Sequence, residues 1–217
     1  MNYRIGLPAL LSLWLLSGCF SSRLVYSWQE AGTVQVPFKK IRVVALIPDK
    51  DRRLQEQMED HLVNDLASLG YEASSSLKEM GPNAFNKSTE EEVLDKLKNS
   101  GVDGVMTIVL LDKSRERYYV PGQIMYTPYR VYHGRFYGYY STLYDRIYSP
   151  GYYEYSTRYF WESNLFDLAG KKLLYTAQTE SFDPENASSM GHEYSLVILK
   201  DMIRKKLLSG TVEQLHR

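Results

Sequence analysis

Apolar and polar positions are most regularly patterned between residues 41 and 111. Residues 41–47 form a β-branched apolar run broken only by Arg42, which suits a strand covered on both faces. Pro48 ends it, and Asp49 or Asp51 is placed to cap a following helix. Leu54, Met58, Leu62, Leu66 and Leu69 then recur at helical spacing as one buried stripe, closed by Gly70. Residues 71–75 suit a short strand. Gly81-Pro82 breaks the chain, and Ser88 with Glu91 or Thr89 with Glu92 opens a second helix as a capping box. Val93, Leu94 and Leu97 give that helix an inner face, Gly101 closes it, and residues 105–111 are a second solid apolar strand. Strand–helix–strand–helix–strand is the pattern of a parallel sheet with right-handed crossovers.

The pattern changes after Leu111. Residues 158–168 and 172–182 face each other across Asp167-Leu168-Ala169-Gly170, a hairpin signal. In the second arm Leu173, Tyr175, Ala177 and Thr179 alternate with Thr176, Gln178 and Glu180. Ser188 or Ser189 is placed to cap a last helix reaching Leu208, apolar around most of its circumference and so buried on more than one side. The expected fold is one α/β domain over residues 41–208, with a mixed sheet in two or three layers. Its expected order is β-α-β-α-β, a tyrosine-rich insertion at 115–158, then β-β-α, with a tail at 209–217.

Residues 1–18 are set apart from this domain. Arg4 precedes an apolar run over residues 5–16, and twelve helical residues rise only about 18 Å, too short for a hydrocarbon core of roughly 30 Å. This is a signal-peptide pattern. It ends in Leu16-Ser17-Gly18-Cys19, which resembles the bacterial lipobox. The resemblance implies cleavage before Cys19, acylation of that residue, and a lipidated tether over residues 19–40, with a short aromatic patch at Tyr26 and Trp28. Two or more acyl chains anchor stably where one does not. With no Asp directly after Cys19, the resemblance further implies the outer membrane, facing the periplasm.

Composition adds little electrostatic direction. The 26 basic and 26 acidic residues balance, and loss of Arg4 with the leader leaves a formal charge of −1. No global pull toward nucleic acid or acidic lipid follows. A single cysteine excludes an intramolecular disulfide. The outlier is tyrosine: of 19, 14 lie between Tyr118 and Tyr159. Across residues 115–159 there are six Arg, no Lys, two Glu and one Asp. Tyrosine carries a broad apolar face with a polar tip, and interface cores favour Tyr and Arg over Lys. The candidate partner-binding residues are Tyr126, Tyr129, Tyr132, Arg135, Tyr137, Tyr139, Tyr140, Tyr144, Tyr148, Tyr152, Tyr153 and Tyr155. Three uses compete: tyrosines packing on each other and on the sheet, docking of another envelope protein, and stacking on glycan or peptidoglycan. An envelope address argues against nucleic acid.

No catalytic constellation emerges. The loop 48–53 has no glycine, so neither a dinucleotide fingerprint nor a P-loop can be drawn there. Asp49 and Asp51 read as caps and Arg52 and Arg53 as solvated side chains. His61 flanks the stripe of the first helix. His192-Glu193, with Asp183 nearby in sequence, is the strongest acid–base candidate and the basis of a rival reading as a cell-wall hydrolase. No metal site or cofactor is expected.

The order of the segments 43–47, Leu69-Gly70-Tyr71, 101–105, 165–168 and 172–175 resembles small bacterial envelope lipoproteins with an α/β domain of unassigned function. More distantly it is similar to the anticodon-binding-like periplasmic domains of lipoproteins that activate cell-wall synthases or assist secretion. The tyrosine-rich insertion departs from that pattern, so no partner is carried over; the expected function is that of a non-catalytic, membrane-tethered protein that binds another envelope component.

Overall fold

A computed structural model describes residues 21–82, 84–85, 88–120 and 152–216. The chain forms two units, Met1–Asp112 with Tyr159–Arg217 (unit 1) and Lys113–Arg158 (unit 2). The candidate residues Cys19, Tyr126, Tyr129, Tyr132, Arg135, Tyr137, Tyr139, Tyr140, Tyr144 and Tyr148 lie outside the described residues.

The fold is mixed α/β. Strands β1 (Ser22–Gln29), β2 (Lys40–Leu46), β3 (Glu72–Ser75), β4 (Gly104–Val120), β5 (Tyr152–Asp167) and β6 (Lys172–Phe182) form one open sheet in the order β1-β6-β5-β4-β2-β3. β2 pairs in parallel with both β3 and β4, and β1 pairs antiparallel with β6. The helices among the described residues are α1 (Arg52–Ser68), α2 (Ser76–Met80), α3 (Glu90–Asn99) and α4 (Ala187–Arg204).

Strand alternation sorts the core into two clusters. Ile41, Val43 and Ala45 of β2, Met106 and Ile108 of β4, Trp161 and Leu165 of β5, and Tyr175 and Ala177 of β6 meet α1 and α4. Val44 and Val105 point the other way, to Leu97 of α3 and Leu168. Unit 1 therefore has three layers, with α1 and α4 on one face of the sheet and α3 on the other. Because β2 is covered on both sides, its sequence has to be apolar at nearly every position.

The helix boundaries show which capping signals act. Thr89 and Glu92 form the capping box of α3, so the Ser88–Glu91 alternative is not used. At α4 the cap is Asn186, not Ser188 or Ser189; its side chain accepts from the amides of both serines, and Ser189 Oγ returns a bond as the N3 partner. Asp51 stands at the N-cap of α1 but makes no capping bond through its side chain. Arg52, expected to be solvated, donates to Gln55 Oε1 at 2.6 Å and pairs with Asp49. Gly70 follows α1 at φ +92°, a left-handed turn that a Cβ would strain.

Two segments expected outside the domain belong to it. Ser22–Gln29 is a full edge strand, not tether, because it supplies the partners that β6 lacks on that side. Tyr26 and Trp28 lie opposite Gln178 and Thr176 and remain exposed. The C-terminal stretch also folds back: Val212–His216 is a 3-10 turn whose Leu215 enters the main core, 3% exposed. β4 and β5 run beyond the expected strands, to Val120 and from Tyr152, so both arms of the tyrosine-rich stretch are extended strand.

Candidate functional site

In unit 2, β4 and β5 are hydrogen-bonded neighbours, so side chains two apart on each strand line up on one face. Arg115, Arg117 and Tyr119 on β4 meet Tyr153 and Tyr155 on β5 in this way. Arg117 lies over the Tyr153 ring, 3.6 Å from guanidinium carbon to centroid. Arg115 lies over Tyr155 at 4.3 Å. Tyr119 meets Tyr153 edge to face at 5.3 Å. Each guanidinium–ring contact contributes about 0.5–1 kcal/mol at an exposed site, so the row is ordered without being buried. Tyr119, Tyr153 and Tyr155 keep 55%, 53% and 48% of their surface, and Tyr152 is exposed beside them.

Of the candidate residues, Tyr152, Tyr153 and Tyr155 are thus brought together with Arg115, Arg117 and Tyr119, which are not among the sequence candidates. The signal that marks them is a period of two: Arg115-x-Arg117-x-Tyr119 against Tyr153-x-Tyr155 is a strand pattern within a tract that otherwise looks like loop.

In unit 1 the acid–base pair dissolves. Glu193 Oε2 accepts from the Ser21 amide (2.7 Å), the Ser21 hydroxyl (2.7 Å) and the Ser22 amide (3.0 Å). That carboxylate is a clamp on the start of β1. His192 is exposed, with its ring centroid 5.8 Å from that of His61. His61 Nε2 lies 2.9 Å from Ser188 Oγ. Burial, then the neighbouring His192, holds the His61 imidazole below its ordinary value, against the pull of Asp65 and Asp60.

A cavity of about 290 Å³ does open past the C-terminal end of β2, where open α/β sheets commonly bind ligands. Its polar lining is already engaged. Glu59, fully buried, accepts from Ala45 N (2.8 Å), Ser75 Oγ (2.5 Å) and Leu77 N (3.0 Å). Gln55 Nε2 donates to Ala45 O at 2.9 Å. The rest of the wall includes Val44, Leu46, Leu77 and Phe85 with Ser76. Among the described residues no group of three or more His, Cys, Asp or Glu could hold a metal ion.

No family model matches this chain, and no curated protein matches it. Solved structures do show likeness at low identity. The PelC dodecamer from Paraburkholderia phytofirmans is 10% identical, with TM-score 0.43, covering 86% of this chain and 99% of that one. Lipoprotein GNA1162 from Neisseria meningitidis is 13% identical, with TM-score 0.42, covering 76% of this chain and 98% of that one. A PDZ domain protein from Parabacteroides distasonis is 10% identical, with TM-score 0.36, covering 84% of this chain and 36% of that one.

Proposed function

We propose that this chain is a non-catalytic cell-envelope lipoprotein of the outer membrane, anchored through acylated Cys19 and facing the periplasm, that docks another envelope protein through the Arg–Tyr face of unit 2. The observation that carries the anchor is the placement of the only cysteine directly after an apolar leader and Leu16-Ser17-Gly18. The observation that carries the docking is the exposed row Arg115, Arg117, Tyr119, Tyr153 and Tyr155. Tyr and Arg are the residue types that interface cores concentrate.

Protein docking is favoured over glycan stacking by the rings' own contacts. A sugar stacks on a free ring face, and Arg117 and Arg115 already occupy one of the two faces of Tyr153 and Tyr155, which halves the stacking area left for it. Against the hydrolase alternative, Glu193 is engaged by Ser21 and Ser22.

Two measurements test the two halves. Cys19→Ser should abolish palmitate labelling and leave the leader uncut; label retained on that variant overturns the anchor. A photo-crosslinking residue at Tyr119 or Tyr153 in living cells should capture one protein partner. Capture that is lost on the surface-charge variant Arg117→Glu supports docking, whereas retention on isolated sacculi without a protein adduct favours glycan.

A further inference from the structure

The start of the folded body is fixed very close to the proposed anchor. Ser21 gives its amide and hydroxyl to Glu193, its carbonyl accepts from Phe182 N at 2.8 Å, and Ser22 Oγ meets Ser181 Oγ at 2.8 Å. Hydrogen bonds onto a charged carboxylate are the strong kind, so the chain is held from Ser21 onward and cannot serve as a flexible spacer there. Only Phe20 lies between Cys19 and Ser21, so the two are two Cα–Cα steps apart. Fully extended they span at most about 7 Å, comparable with the roughly 5–7 Å depth of one headgroup layer.

We propose that the edge of unit 1 made by the start of β1, the end of β6 and the first turn of α4 is a membrane-apposed surface, seated against phospholipid headgroups. The proposal rests on the anchoring reading above and adds which face meets the lipid. The composition of the edge suits it. Phe182, 47% exposed, stands beside Ser21 as an apolar contact. The Arg23 side chain, 76% exposed, reaches out while pairing with Glu180. Asp183, Glu185 and His192 are also exposed at this edge, so the seating is set by the short lead and not by net positive charge. α4 runs 18 residues from this edge to Arg204, about 27 Å of helix, and Ser209 beyond it donates its amide to Tyr71, just past the C-terminal end of α1.

The test uses full-length lipidated protein in phosphatidylethanolamine–phosphatidylglycerol vesicles doped with a paramagnetic nickel-chelating lipid. Cys19 being acylated, a cysteine introduced as Glu185→Cys or Ser209→Cys is the only free thiol for a nitroxide label. The label at 185 should relax several-fold faster than the label at 209, and a Gly/Ser linker inserted between Phe20 and Ser21 should erase that difference. Equal relaxation at the two sites, or a difference that survives the linker, overturns the membrane-apposed edge while palmitate on the protein leaves the anchor standing. Absence of palmitate and of vesicle flotation overturns the anchor, and this edge with it.

Discussion

Arg42 and Glu59 are charged, fully buried and dealt with in opposite ways. Glu59 takes three donors from the ends of β2 and β3 and the start of α2, so its lone pairs are satisfied and it ties those elements to α1. Arg42 pairs with Glu79 and donates to Ser75 O at 3.3 Å, yet its Nε and Nη2 find no partner. Burial works against ionisation of Glu79, but the bond and charge of Arg42 prevail and hold its carboxyl below the ordinary value. Removing one side of such a pair costs more than replacing both with apolar groups. His61 offers a sharper test. It faces Ser188 and His192 on α4 and Asp60 and Asp65 on its own helix, and its imidazole is held below its ordinary value. In a window below about pH 6.5 the unfolded chain therefore binds more protons than the folded one. Stability is full above that window and declines as pH falls through it. The melting temperature of the native chain should drop between about pH 7.5 and about pH 5.5, and His61→Asn should flatten that drop. Parallel curves for the two proteins would remove His61 from the account.

Elements were legible where one periodicity held and a single signal ended it. The run at 41–47, the Leu54–Leu66 stripe and the Thr89–Glu92 box became β2, α1 and α3 with small shifts, and the run at 105–111 became the first part of a β4 that continues to Val120. β1 escaped because Arg23-Leu24-Val25-Tyr26-Ser27-Trp28 lacks clean alternation, and its pairing with β6 slips between Leu24 and Tyr26. An edge strand is defined by its neighbour, and a pattern read along the chain does not reveal that neighbour. The Glu193 clamp was invisible for the same reason, joining residues 172 apart. Tertiary contact also governs Gly191, which sits inside α4. A Cβ there would come within 2.9 Å of both Gln57 O and His61 Cδ2 on α1. Gly191→Ala gains about 1 kcal/mol of helix propensity, while forcing two packed helices apart costs about 1–3 kcal/mol. Because the obstructing Gln57 oxygen is backbone and cannot swing aside, the packing term wins. Gly191→Ala should lower unfolding free energy in urea by about 1 kcal/mol. A stabilised variant would show that α1 and α4 can separate freely at that point.

At the scale of the whole molecule the two units bury different things. Among the described residues, both core clusters draw their members from outside Lys113–Arg158. The described residues of unit 2 show exposed tyrosines stacked on arginines and contribute nothing to those clusters. Stability scales with apolar area removed from water, at about 25 cal/mol per Å², so a unit outside the core adds little to the melting temperature of unit 1. It does carry entropy, since ordering each residue costs roughly 1–2 kcal/mol of backbone freedom. On the docking proposal, that entropy is offset by what the exposed aromatic face meets. Replacing residues 115–156 with an Asn-Gly turn matches the twist of a two-stranded connection. The shortened protein should keep its near-ultraviolet dichroism and melt within about 5 °C of the full chain, given how little buried area is lost. It should also keep its palmitate and no longer co-purify with the protein that crosslinkers at Tyr119 or Tyr153 capture on the full chain. A collapse of the melting transition on this replacement would mean that unit 2 supports the fold, and the docking role would have to be argued from other residues.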